Sequence, residues 1–338
     1  MPSIQVTATE FADLLRSPFV HEELTTASGV DAVVVRGDLS SISVEPDGLP
    51  TCPVIAVGPA APWADVVIAT RNIVLPGAIA PAIVGSDGED VLARLLVSIE
   101  ANPIAATSLA VLLRTDGGRD IAEGLAAESA VYSLLQAGPE FARWRATGAH
   151  RPPGPDPEPA VLAERTDDLV HITLNRPHRH NAFSASLRDA LVAQLAVAAL
   201  DGSVRVIVDG AGPSFCSGGD LGEFGSFPDP ANAHVVRLAR SAARLMASMS
   251  ERVEVRLHGA CMGAGIELPA FAGRVTAAPD AVIALPEIGL GLIPGAGGTA
   301  SIPRRIGRQR TAWLGLSGEP IDAATALGWG LIDEIAAP

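Results

Sequence analysis

His258 to Thr299 reads HGACMGAGIELPAFAGRVTAAPDAVIALPEIGLGLIPGAGGT, and the rest of the chain is best read outward from it. The small residues Gly263-Ala264-Gly265 predict a tight turn that opens into a helix carrying Glu267. Glycine lets backbone approach a ligand closely, and the unpaired N–H groups of a helix start favour developing negative charge. Glu287 follows Pro286 in a second loop, which closes on Gly295-Ala296-Gly297-Gly298. Flanked by Leu285, Ile288, Leu290 and Leu292, its carboxyl is expected to be partly desolvated, which raises a carboxyl pKa and suits proton transfer. One such glutamate is ordinarily a surface residue. Two of them in glycine-rich, charge-poor surroundings favour chemistry.

Upstream, the β-branched run Arg205–Val208 predicts a buried strand that leads into Phe215-Cys216-Ser217-Gly218-Gly219-Asp220. This loop has the grammar of Met262–Gly265: strand, small-residue turn, expected helix start. Two converging backbone N–H donors make an oxyanion hole for an enolate or tetrahedral oxyanion. Around these loops, Val170–Leu174 and Glu254–Leu257 read as strands. Ser184 is expected to cap a helix running to Leu200, with Leu187, Leu191 and Leu195 on one face. A single long helix is expected over Ala231–Met249. Further helices are expected near Thr299–Ile306, Arg308–Leu316 and Asp322–Leu327, before a last strand at Leu331–Ile335. Strand–helix alternation of this kind implies an α/β fold whose loops at one rim carry the chemistry.

The second half, about Val161 to Ala336, resembles the crotonase (enoyl-CoA hydratase/isomerase) superfamily. The resemblance rests on Ile172–Pro177 with Asn181–Ser184, on Phe215–Leu221, on His258-Gly259 through Glu267-Leu268, on Pro286–Leu290, and on Ile293–Thr299. It implies a ClpP/crotonase-like spiral of ββα units, assembled as a homotrimer or a pair of trimers. It implies that the Ser217 and Ala264 amides hold a thioester carbonyl. It also implies that Ala182, Phe183 and the segment Ser217, Gly218, Gly219 and Asp220, with Gly263 and Ala264, meet coenzyme A and its acyl group. Glu267 and Glu287 match the two acids of the hydratases, where isomerases commonly keep only the second. The implied reaction is addition of water to a 2,3-enoyl-CoA of fatty acid metabolism, Glu267 deprotonating water and Glu287 protonating C2. The same pocket could instead serve double-bond isomerisation, thioester hydrolysis, cofactor-free oxygenation, or acyl-CoA binding without turnover. Pro269 is expected to bend the helix after Glu267. His258 reads as structural, and Cys216, with no base adjacent in sequence, as a small buried residue rather than a nucleophile.

Arg151–Pro159, RPPGPDPEP, predicts an extended linker, with the boundary drawn at 151–160 between residues 1–150 and a core at 161–338. Ahead of it, Ala32–Arg36, Val54–Val57 and Val66–Ala69 read as buried strands. Helical spacing follows from Gly88, then over Ala105–Arg114 and Ile121–Gln136. This smaller α/β region, rich in helix towards its end, contains no Gly-rich loop beside an acid or nucleophile. Family members usually continue past the point where this chain stops, with helices that cover the acyl-CoA site. Gly88–Ala146 looks like those helices moved ahead of the core, within a degenerate crotonase repeat; an unrelated accessory domain is the alternative.

Bulk properties bound the reading. A chain of 338 residues, 48% hydrophobic and 18% charged, can bury a large core. All 24 basic residues are arginine against 38 acidic ones, and the net charge of −14 disfavours nucleic acid as a partner. No apolar run predicts a membrane span, and the first residues do not read as a secretory signal. Cys52, Cys216 and Cys261 have neither disulfide-framework nor metal spacing, so a reducing, cytoplasmic compartment, no metal and no cofactor beyond the coenzyme A thioester are expected.

Overall fold

The computed structural model describes residues 2–45, 48–58, 61–69, 88–115, 120–148, 159–226 and 229–336. Of the expected linker, residues 151–158 lie outside them. The chain divides into two compact units. The smaller comprises Met1–Arg119, Pro286–Ile293 and Ile306–Glu319; the larger comprises Asp120–Leu285, Pro294–Arg305 and Pro320–Pro338. This division departs from the boundary expected at 151–160. Residues from Asp120 onward join the core because the helix Ile121–Gln136 packs on the helix Pro230–Ala239.

The smaller unit is built on four parallel strands in sequential order: β1 (Ser3–Thr7), β2 (Ala32–Arg36), β3 (Val54–Val57) and β4 (Val66–Ile68). Nearly every side chain of β2 to β4 is buried, as expected for a parallel sheet covered on both faces. β1, SIQVT, shows no continuous apolar run and was not expected from the sequence. At one place this unit closes on charge. Asp65, fully buried, receives Arg114 from the helix Pro103–Thr115 and Arg308 from the helix Arg308–Ser317. The Val54 amide donates to the same carboxylate at 2.8 Å, and Arg308 also donates to the carbonyls of Pro62, Trp63 and Ala64.

The larger unit holds two sheets. The six-stranded sheet runs β13-β10-β8-β7-β6-β5, from β5 (Val161–Thr166), β6 (Leu169–Leu174), β7 (Arg205–Gly210), β8 (Val253–Leu257), β10 (Arg274–Ala277) and β13 (Glu334–Ile335). The three-stranded sheet is β12-β11-β9, from β9 (Ala260–Met262), β11 (Val282–Ala284) and β12 (Ile321–Asp322). From β8 to β11 the chain alternates between the sheets, β8 to β9 and β10 to β11. Each of these ββ steps therefore gives one strand to each sheet.

Three local expectations change. The helix expected over 231–249 is two, Pro230–Ala239 and Ala242–Ser248, because Arg240 leaves helical geometry and the Ser241 hydroxyl caps a new start by accepting from the Arg244 amide. Asp220 opens into turns over 221–226, not a helix. The last strand is only Glu334–Ile335, parallel to β10. Among the described residues no single helix is long and apolar enough to cross a membrane.

Candidate active site

The two small-residue loops pack directly on each other. Cys216 and Cys261 form a parallel bridge, the Cys216 amide donating to the Ala260 carbonyl and the Met262 amide to the Cys216 carbonyl. A Cβ on Gly265 would lie 2.2 Å from the Cys216 carbonyl oxygen, and one on Gly218 3.2 Å from that of Met262. Backbone meets backbone here, so only glycine fits. Gly263 turns the chain at φ 49° and the helix Ala264–Glu267 follows at once. Pro269 does not bend that helix but ends it, passing the chain into a 3-10 turn at Pro269–Phe271.

The expected oxyanion donors divide. The Ala264 amide, at the first position of its helix, has no acceptor among the described residues. The Ser217 amide is already spent on the His180 carbonyl at 2.9 Å and cannot serve. His180 and Asn181 are both left-handed, at φ 51° and 52°, and this is what turns the His180 carbonyl towards Ser217. Next along the loop, the Gly218 and Gly219 amides each donate to no acceptor among the described residues, so a second free amide is available at this pair of glycines.

The Asp220 carboxylate is engaged within the chain. It pairs at 2.9 Å with Arg176, fully buried, and accepts the Gly222 amide at 3.0 Å. Arg176 also donates to the Ala182 carbonyl, while the Asn181 side chain accepts from the Arg176 amide and donates to the carbonyls of Ala211 and Ser214. The Asn-Arg-Pro…Asn motif thus braces the segment that presents Ala182 and Phe183. Phe183 joins Gly219 in a second bridge, and with Phe215, Cys216, Met246, Ala264 and Leu268 it lines a small apolar cavity.

Glu267 is buried in the larger unit. Its Oε2 accepts the Ala296 amide at 2.7 Å and the Gly298 amide at 2.9 Å. Desolvation pushes its carboxyl up to about 7, against the pull of these backbone donors. Glu287 is also buried, in a 3-10 turn at Glu287–Leu290 that belongs to the smaller unit and packs on its helices Gly88–Ala101 and Arg308–Ser317.

A third carboxyl, which the sequence reading missed, meets the same loop as Glu267. Glu128 of the helix Ile121–Gln136 accepts the Gly297 amide at 2.7 Å, and the Thr299 amide and hydroxyl each at 2.8 Å. Burial, then the charge of Glu267, pushes it up to about 8. The glycines of this loop are spoken for: a Cβ on Gly295 would strike Tyr132, one on Gly297 Phe271 and Leu125, and one on Gly298 Glu267 itself. Leu125, Glu128 and Tyr132 lie on one stripe of the helix. A lone charge inside that apolar spacing was the signal available in the sequence. Cys216 is a buried thiol pushed up to about 12 by desolvation, in keeping with a packing role.

Buried acid, free amide and interlocked glycine turns are what the crotonase motifs require. The model of the enoyl-CoA hydratase/isomerase family matches residues 164–338, just over half of the chain. The chain belongs to this family. It is 34% identical over 180 residues to the putative enoyl-CoA hydratase/isomerase YngF of Bacillus subtilis, covering 53% of this chain and 69% of that one. It is 35% identical over 176 residues to the 2,3-dehydroadipyl-CoA hydratase of Escherichia coli, covering 52% and 68%. An enoyl-CoA hydratase/carnithine racemase structure from Magnetospirillum magneticum shares the fold at a TM-score of 0.50 and 24% identity, covering 54% and 69%. In this crotonase, Glu128 comes from outside the matched residues.

Proposed function

We propose that the chain is an enoyl-CoA hydratase, adding water across a 2,3-enoyl-CoA thioester. The observation that carries this reading is Glu267: enclosed, tethered through one carboxyl oxygen, raised to about 7, and three residues after the free Ala264 amide. A base that is ionised yet proton-seeking near neutral pH suits water activation. An amide at a helix start suits a developing enolate oxygen.

In the proposed reaction Glu267 takes a proton from water as the water oxygen bonds to C3. The C2=C3 π pair moves onto the thioester, whose oxygen is held by the Ala264 amide and, in place of Ser217, by that of Gly218 or Gly219. The enolate collapses as C2 gains a proton, a step the family resemblance gives to Glu287. Ala182 and Phe183 line the way for coenzyme A, and the apolar cavity beside Phe183 and Met246 receives the start of the acyl chain. Nothing in this sequence of steps calls for a further cofactor. A cytoplasmic homotrimer or pair of trimers completes the proposal, to be checked by sedimentation.

Isomerisation of the double bond is the second reading, and the presence of Glu267 beside the free Ala264 amide favours hydration over it. Loss of conjugated-thioester absorbance with crotonyl-CoA supports hydration. Its absence, with 3-enoyl-CoA converted to 2-enoyl-CoA instead, supports the isomerase.

A further inference from the structure

Four successive amides of the Pro294–Thr299 loop are shared between two carboxyls. Those of Ala296 and Gly298 go to Glu267, and those of Gly297 and Thr299 to Glu128, with the Thr299 hydroxyl as a fifth donor. Both glutamates are 2% exposed. Two enclosed carboxyls facing one loop cannot both ionise cheaply, and such a pair releases its protons in two steps that belong to the pair. Among the described residues no cation hydrogen-bonds to either. Of the nearby titratable groups, Arg237 feels the Glu128 charge but donates to Ser129 and Ser133 and sits 4.8 Å over the Tyr132 ring, and His234 bonds Ser129. Cys216, which senses the Glu267 charge, stays a thiol.

We propose that Glu128 is a positioning residue for Glu267: it clamps the far side of the 296–299 loop, and the two carboxyls share one retained proton. The role given to Glu267 rests on the hydratase reading; the shared proton does not. The Thr299 hydroxyl can turn from donor to acceptor, which gives the shared proton a partner when it sits on Glu128.

The test is a ¹³C NMR titration of glutamate carboxyls in the full chain, as wild type, Glu128→Gln and Glu267→Gln, together with crotonyl-CoA hydration kinetics. Two carboxyls titrating above pH ~6 are expected in the wild type, because burial holds both above the usual carboxylate range. In Glu267→Gln the Glu128 midpoint falls by about one unit or more, because its charged neighbour is gone. Glu128→Gln keeps one carbonyl acceptor for the loop and lowers kcat roughly tenfold or more, with KM changed less than about threefold. A Glu128 midpoint in the ordinary carboxylate range, or one indifferent to Glu267→Gln, overturns the shared proton. Unchanged kcat in Glu128→Gln overturns the positioning role. Should the wild type fail to hydrate crotonyl-CoA, the hydratase reading falls while the titration still decides the shared proton.

Discussion

Glu128 and Glu267 interdigitate on one stretch of backbone, taking alternate amides from Ala296 to Thr299. One glutamate lies within the family-matched residues and the other ahead of them. The residue proposed as the base therefore depends on a helix that the family resemblance does not cover. A loop gripped on both sides has little freedom to shift, and this pre-orients a base before substrate arrives.

Gly298→Ala follows directly. A Cβ there would sit 2.7 Å from Glu267 Cγ and 3.0 Å from its Oε2. The carboxyl must move, so kcat for hydration is expected to fall on the order of 10²-fold. Coenzyme A ester affinity, measured by calorimetric titration, is expected to stay within about threefold, since a misplaced base affects the transition state more than ground-state binding.

The buried pair also sets a pH dependence. Both carboxyls are raised above their ordinary 4.5, so the folded protein holds protons that the unfolded chain has released. Their contribution to stability is therefore fully present below pH 4.5 and is lost as pH rises through about 7 and about 8. Each proton contributes a slope of about 1.4 kcal/mol per pH unit in that window. Urea unfolding at pH 5, 6, 7 and 8 should show Glu128→Gln declining less steeply than wild type over this range. Parallel curves would contradict the assignment.

Much of the site was legible because glycine-rich turns and their acids lie close together in sequence; Glu267 and Ala264 are three residues apart. What escaped depends on distant partners. Which amide of the 216–220 loop is free turns on where the His180 carbonyl points, and that follows from two left-handed residues in another segment. The partner of the Asp220 carboxylate, Arg176, lies 44 residues upstream and gives no local sign of the pairing. The strands Ala32–Arg36 and Val54–Val57 were plain from their unbroken apolar runs, whereas SIQVT carries no such pattern and becomes a strand only by pairing with β2.

In the smaller unit, Asp65→Asn would leave Arg114 and Arg308 without their carboxylate in a closed setting. Removing one partner from a buried ionic cluster costs about 3–5 kcal/mol. The urea midpoint of the full chain is expected to drop accordingly; a shift near zero would mean that solvent reaches Asp65.

Thiol chemistry separates packing from catalysis at Cys216. Burial holds Cys52 and Cys216 at about 12 and raises Cys261 as well. Folded protein should leave all three thiols unreacted with a disulfide reagent at pH ~8, well below these raised values, because thiol is not the nucleophilic form. Unfolding in urea should release three. Fast reaction of one thiol in the folded state would contradict this.

The most direct measurement compares wild type with Glu267→Gln for hydration of crotonyl-CoA, alongside direct binding of the ester to both. Wild type should turn the ester over, and the variant should bind it within about threefold while losing on the order of 10²–10⁴ in kcat. Equal turnover by the two proteins would show that Glu267 is not the base.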